Sequence, residues 1–376
     1  MVGSSVERVS LAAGNPEGEN SAYVLSDRNA VVDPGPPTED AWERLRAGIE
    51  ETGLGVGDVE YVFVTHWHVD HAGLVPQLVD ATEATVVMHE RDAPLVADYA
   101  AERAERVDRD ARRLRQWGVP ADVVEAVQSG DRPSPMPDSL ADDRVASVTD
   151  GETVAGVEAV HTPGHTLGHA AFVVDEAGEA DRTGESGVTT GTPFVGDLVL
   201  PTYTPNVGGG DTRLENALAT YLESLRRVRS VCDRRGVEAV APGHGSPLAF
   251  GERVDEIVTH HDERSRRTVA VLDAVDDESG SADAERARSD AGATPWQVAT
   301  RLFGEMEGIH AKMGAGEAAS HLEFLRERDA VERVPVGADG VDSAGSADDA
   351  DGPTSGPRRY RVVDAGRAGV DGVESG

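Results

Sequence analysis

Thr65-His66-Trp67-His68-Val69-Asp70-His71 follows directly on the apolar run Tyr61–Val64, and the reading of this junction decides the fold. Three imidazoles and a carboxylate fall between His66 and His71. Inside a strand, His66 and His68 would share one face, where two neighbouring imidazoles are costly unless protonated outward or bound to a metal. At a strand end they can converge on one ion. Asp70 and His71, turned away by the start of the next helix, can then hold a second ion. The segment predicts a strand, a ligand-bearing loop and a helix over His71–Ala81.

Outward from this junction the same unit recurs. Val6–Val32 alternates short apolar runs with turn residues, as antiparallel strands do, and Asp33-Pro34-Gly35 reads as the turn that closes them. Thr38–Thr52 has helical spacing, Thr85–His89 reads as a strand, and Glu90–Ser129 predicts two or three surface helices. Three more apolar strands each lead into a ligand-type residue: Val157–Val160 before His165, Pro193–Gly196 before Asp197, and Val237–Ala241 before His244. A helix at Leu214–Arg235 precedes the last of these. Four strand ends thus supply seven candidates to one sheet edge. A single histidine is best read as a surface or satisfied core residue, whereas an ordered set of this kind is not. Asp175–Gly191 reads as an extended hairpin loop, and Cys232, in a helix, as a small buried apolar residue.

Glu252–Asp276 predicts one long helix, followed by the acidic stretch Asp277–Ala293. Beyond it lie helices at Pro295–Phe303 and Gly316–Arg328 and an apolar pair, Val331–Val336 and Tyr360–Val363, joined by the acidic loop Gly337–Pro357. This pattern divides the chain into a larger domain over residues 1–262 and a winged-helix-like domain over residues 263–376.

Acidic residues number 69 against 35 basic ones, a formal charge of −34, and Lys312 is the only lysine. Such acidity resembles that of proteins from salt-in halophiles, whose carboxylates keep the surface hydrated. The apolar periodicity argues against a disordered acidic chain. At molar salt the screening length falls to about 3 Å, so net charge decides little about partners. One cysteine excludes an internal disulfide and a thiolate metal cluster. With no apolar stretch of about 18 residues and no basic-then-apolar N-terminus, a soluble cytoplasmic protein without a membrane partner is expected.

His66-x-His68-x-Asp70-His71, Thr162-Pro163-Gly164-His165-Thr166, Gly196-Asp197 and Pro242-Gly243-His244 resemble, in order and spacing, the successive motifs of the metallo-β-lactamase superfamily over residues 6–250. The resemblance implies an α+β fold, the αββα sandwich, with metals at one edge. It implies His66, His68 and His165 on a first metal, Asp70, His71 and His244 on a second, and Asp197 bridging the two. His161 and His169 are left to orient ligands through hydrogen bonds. The nitrogen-rich set favours two zinc ions and also accommodates iron or manganese. A water shared by two cations ionises near neutral pH, Asp70 orients the bridging hydroxide as the catalytic carboxylate, and the developing oxyanion is stabilised by the first metal.

Gly308-Ile309-His310-Ala311, Gly316-Glu317-Ala318 and His321–Leu325 are similar to the β-lactamase-like protein 2 group, glyoxalase II relatives with a C-terminal winged-helix-like domain. The function this implies is a binuclear hydrolase of thioesters or esters, hydroxyacylglutathione hydrolase-like, acting on a small-molecule substrate; β-lactam hydrolysis is not expected. Leu198–Arg213 stands where true glyoxalase II enzymes carry a Gly/Arg-containing glutathione loop, and departs from it. Tyr203, Asn206 and Arg213 of this loop are expected to contact substrate, with a salt bridge from Arg213 to Asp211 or Glu215 as the bland alternative.

Two other readings remain: a single-strand-specific endoribonuclease, an activity found in the resembling group, and a DNA-binding regulator that senses metal or ligand. Arg326, Arg328 and Lys312 are offset by Glu317, Glu323, Glu327 and Asp329. Nucleic acid is therefore not favoured, and the tail reads as a packing or dimerisation module, compatible with a homodimer.

Overall fold

Short strands rich in β-branched and aromatic residues, alternating with helices whose apolar residues recur at 3.6 spacing, build two sheets that each cover only one face with the other. The computed structural model describes residues 6–12, 17–134, 136–141, 144–174, 191–278, 292–334 and 356–369. The first sheet joins β1 (Val6–Ala12), β2 (Asn20–Leu25), β3 (Ala30–Val32), β4 (Tyr61–Phe63), β5 (Thr85–His89) and β6 (Val145–Val148) in sequence order. Its first three strands are antiparallel and β3 to β6 run parallel. The second sheet contains β7 (Thr153–Val154), β8 (Val157–His161), β9 (Ala170–Val174), β10 (Phe194–Gly196), β11 (Ala239–Pro242) and β12 (Leu248–Ala249).

The sheets meet through an aromatic seam in which Tyr23 pairs with Phe194 at 5.1 Å between ring centroids and Phe63 with Phe172 at 5.2 Å. Each outer face is covered by helices. Trp42, Leu45 and Ile49 of α1 (Glu39–Glu51) and Leu78 of α3 (Val75–Ala81), which follows the short α2 (Val69–Ala72), pack on the first sheet. Leu218, Leu222 and Leu225 of a helix at Ala217–Arg235 pack on the second. The result is a four-layer αββα sandwich.

The expected Glu90–Ser129 helices are three: α4 (Pro94–Ala97), α5 (Tyr99–Gln116) and α6 (Ala121–Gly130); the Ala217–Arg235 helix is then α7. The long helix is α8 (Phe250–Glu278), followed by α9 (Pro295–Phe303) and α10 (Gly308–Glu327). Thr294 starts α9 with a capping box, its hydroxyl accepting from Gln297 N–H while the Gln297 side chain accepts from Thr294 N–H.

One helix departs from the sequence reading. The helix expected over Gly316–Arg328 begins instead at Gly308. Packing overrides the weak propensity of glycine here. A Cβ on Gly316 would lie 2.4 Å from Gly208 O, a backbone atom, so only glycine lets the helix approach there. The tail also contains β13 (Val331–Arg333) and β14 (Tyr360–Val362), an antiparallel pair, and a short 3-10 helix at Ala365–Arg367. Leu322, Phe324, Val331 and Tyr360 belong to the same apolar cluster as Val195, Leu198 and Tyr221 of the sandwich. The tail thus packs against the sandwich over a continuous core. The loops expected over Asp175–Gly191 and Gly337–Pro357 lie almost wholly outside the described residues, and no described helix is long and apolar enough to cross a membrane.

Candidate metal centre

The parallel strands β3 and β4 end side by side, which brings Asp33 beneath Thr65 and His66. Asp33 adopts a left-handed backbone, φ 50°, rare for a residue with a side chain. Its carboxylate accepts from Thr65 N–H (2.8 Å), Thr65 Oγ1 (2.8 Å) and His71 Nδ1 (3.0 Å). With its proton given to Asp33, Thr65 Oγ1 accepts from His66 Nδ1 at 3.0 Å. His165 Nδ1 donates to the carbonyl of Asn206 at 3.1 Å. Each of these Nδ1 atoms therefore carries the proton, and each Nε2 turns a lone pair inward.

Those lone pairs converge. His66 Nε2 and His165 Nε2 both lie 3.0 Å from His68 Nδ1, and one N–H cannot serve two acceptors on these three rings. His71 Nε2 lies 3.3 Å from Asp197 Oδ1, His244 Nε2 lies 3.6 Å from the same oxygen, and His244 Nε2 lies 3.3 Å from Asp70 Oδ2. All of these are buried except His68, which is half-buried, and Asp70, whose side chain is 27% exposed and forms the open corner. His71 Nε2, His244 Nε2 and Asp197 Oδ1 make no hydrogen bond despite burial. Buried acceptors facing one another are unfavourable unless protons or a cation sit among them. The donor set therefore fits a metal: His66, His68 and His165 form one group that can hold an ion, and Asp70, His71 and His244 another. Asp197 faces both, Oδ1 toward His71 and His244 and Oδ2 toward His165 (3.7 Å) and His66 (4.0 Å).

Charge follows the same division. Burial, reinforced by His165, pushes His68 down to about 3, and burial with neighbouring imidazoles holds His66 far below its ordinary range. Burial opposes ionisation of Asp197, yet His71 and His244 hold it well below the usual carboxylate range. For His244 burial is likewise outweighed by Asp197, and the ring is raised to about 10. The centre keeps its carboxylates ionised and draws positive charge to them.

Two residues that sequence reasoning passed over support the cluster. Asp33 was read as part of a turn. Asn20 Nδ2 donates to the Asp70 carbonyl (3.1 Å) and carboxylate (3.3 Å), fixing the open corner. Its signal in the sequence was only a polar residue opening a strand. His161 stacks on His89 at 3.8 Å and bonds the Leu167 carbonyl, and His169 Nδ1 bonds Thr162 Oγ1, so both brace the loop that carries His165.

The cluster floors a cavity of about 650 Å³. Trp67, Tyr99, Val107 and Val127 give it apolar walls, and Ile309, Lys312 and Met313 of α10 complete them. Of the three residues expected to touch substrate, Asn206 lines this cavity, whereas Tyr203 and Arg213 do not. Tyr203 is exposed and offers its carbonyl to Arg253. Arg213 bonds Asp211 through Nε (2.9 Å), also pairs with the fully buried Asp92, and reaches the Arg91 carbonyl, so its donors are spent away from the cavity. The salt bridge to Asp211 foreseen as its bland alternative is formed.

The sequence matches the family described as the Metallo-beta-lactamase superfamily over residues 14–244. It is 25% identical to the Probable metallo-hydrolase YqjP of Bacillus subtilis (strain 168), covering 82% of this chain and 88% of that one. It is 27% identical to the Atrochrysone carboxyl ACP thioesterase of Aspergillus fumigatus, covering 81% and 80% respectively. Among solved structures, a metallo-beta-lactamase family protein from Thermus thermophilus superposes with a TM-score of 0.64 at 26% identity, over 96% of this chain and 99% of that one.

Proposed function

Because the chain belongs to the Metallo-beta-lactamase superfamily, we propose that it is a hydrolase that uses two divalent cations, with zinc favoured, to cleave small-molecule thioesters or esters. The observation that carries this reading is the division of Asp197, whose two oxygens face two separate groups of imidazoles at the floor of a largely apolar cavity. The thioesterase named among the relatives, aligned over most of both chains, supports the thioester.

His66, His68 and His165 would hold one cation, Asp70, His71 and His244 the other, with Asp197 shared. Divalent cations bound there supply Lewis acidity toward a carbonyl and make water a nucleophile near neutral pH. The chain supplies the rest. Asp70 Oδ2, braced by Asn20 and open to the cavity, orients the attacking water. Trp67 and Val107 exclude bulk water from the acyl group, which strengthens each electrostatic contact at the floor. Attack forms a carbon–oxygen bond, the carbon–sulfur bond breaks, and the thiol leaves with a proton.

The test is hydrolysis by zinc-loaded protein of acyl thioesters, including S-lactoylglutathione, with single-stranded RNA as the competing substrate. Expected is thioester cleavage abolished by a chelator and lowered at least about 100-fold by Asp197→Ala, which removes a group that fixes the cations. Cleavage of RNA alone, or full activity in Asp197→Ala, overturns the reading.

A further inference from the structure

We propose that Lys312 and Arg106 form a recognition site for an anionic group on the acyl part of the substrate, so that the cavity selects acyl groups ending in a carboxylate. This rests on the hydrolase reading and names the substrate class for the same cavity.

Lysine is otherwise absent from the sequence; every other basic residue is arginine. The single lysine is buried, its side chain 4% exposed, and it lines the cavity from α10. Its Nζ donates to Asp110 Oδ2 at 2.7 Å and to the Gly210 carbonyl at 3.3 Å. An ammonium has three donors, so one is left. A compact ammonium suits the place, because α10 presses on the Gly208–Gly210 backbone so closely that a Cβ on Gly209 would meet Met313 Cα at 2.4 Å.

Charge on this wall does not balance. Asp110 receives Lys312 and Arg106 on Oδ2, and Thr212 Oγ1 on Oδ1 at 2.6 Å. Asp131 receives Arg106 and Arg103, each at 2.7 Å. The two carboxylates thus serve three cations, of which Lys312 and Arg106 line the cavity and Arg103 lies behind them, while Arg132, exposed and also lining it, makes no ion pair among the described residues. The Arg106 guanidinium is further fixed over the Trp67 ring, 5.2 Å from its centroid. In a chain of formal charge −34, a buried ammonium with a spare donor, beside a guanidinium held on the same apolar cavity, is poised for an anion. The other carboxylates lining the cavity, Glu17, Asp70 and Asp197, all belong to groups that can hold a metal. The substrate would supply that anion. With the reacting carbonyl at the metal floor, an anion at the far end of the acyl chain would reach this wall, and a dicarboxylic monothioester has this form.

The experiment compares N-acetylcysteamine thioesters of glutaric acid and pentanoic acid, which share a thiol and an acyl length. Zinc-loaded wild-type protein is expected to prefer the glutaryl thioester in kcat/KM by about 10- to 100-fold, the range of a charged hydrogen bond. Lys312→Met should bring that ratio close to one by raising KM for the glutaryl substrate, and Lys312→Arg should restore part of it. A wild-type enzyme without preference, or a Lys312→Met variant that keeps the full ratio and loses only thermal stability, overturns the proposal. If neither thioester is cleaved, the hydrolase reading fails separately. Calorimetric titration with glutarate then decides: binding weakened by Lys312→Met supports the recognition site, and equal binding by both proteins overturns it.

Discussion

His71 Nδ1 lies 3.0 Å from Asp33 Oδ2, and this contact fixes which nitrogen of His71 faces the centre. The same carboxylate holds the Thr65 hydroxyl that orients His66, so one residue sets a ligand in each group. Asp33→Ala should therefore weaken metal binding about 10- to 100-fold, the usual effect of removing a partner that orients a ligating histidine. Competition with a chromophoric chelator measures this, and unchanged affinity would show that His66 and His71 are held by packing alone.

Arg213 is expected to be structural. It pairs with Asp92, which also accepts from Thr166 Oγ1 and Gly168 N–H, and with Asp211, which accepts from Leu167 N–H. Removing the guanidinium leaves two buried carboxylates beneath the His165 loop. Arg213→Ala should cost about 3–5 kcal/mol in stability, as broken buried pairs do. Chemical denaturation checks the loss. A raised KM with unaltered stability would return Arg213 to the role in substrate binding that the sequence suggested.

The strands that lead into the centre and the seven ligand-type residues were legible because each rests on a local signal, an apolar run of strand length leading into a polar loop. The two-sheet arrangement came instead from the family resemblance. The positions of Asp33, Arg213 and α10 were not legible. The role of Asp33 depends on β3 pairing in parallel with β4 across nearly thirty intervening residues, which no local pattern encodes. Arg213 sits in a loop beside the centre in sequence, yet its partner Asp92 comes from the turn after β5. Gly316 reads as the start of a helix, whereas it lies inside α10 and permits close packing whose need appears only once Gly208 is in place.

Stability should fall in acid through a pair of histidines remote from the centre. His261 Nδ1 lies 3.4 Å from His321 Nε2 inside the fold. Burial, aided by His260 and Arg264, lowers His261 to about 3, and burial with His261 lowers His321 well below its ordinary value. Both are neutral when folded and take up protons when unfolded near pH 6.5. Their contribution is present above that pH and is lost as pH falls toward 3, by at most about 1.4 kcal/mol per pH unit for each ring. Urea unfolding at pH 7 and pH 5 should show wild type losing more stability than His261→Gln, and equal losses would exclude the pair as the source.

Gly316→Ala tests whether the approach of α10 builds the cavity. In an open helix the change would be favourable by up to about 1 kcal/mol, since alanine loses less backbone entropy on folding. Here the new methyl group would stand 2.4 Å from Gly208 O and Gly209 Cα, both backbone atoms that a rotamer change cannot move. The helix must retreat, taking with it Lys312 and Met313, which face the cavity one turn earlier. The substitution should therefore lower stability by about 1–3 kcal/mol, the usual cost of overpacking, and raise KM for thioesters while leaving metal content unaltered. Gly251→Ala in α8, where a Cβ meets nothing within 4 Å, serves as the control and should not lower stability. Thermal melts of the two variants beside the KM of Gly316→Ala decide the matter, and a Gly316→Ala protein as stable as wild type with unchanged KM would show that α10 is not pressed onto this loop.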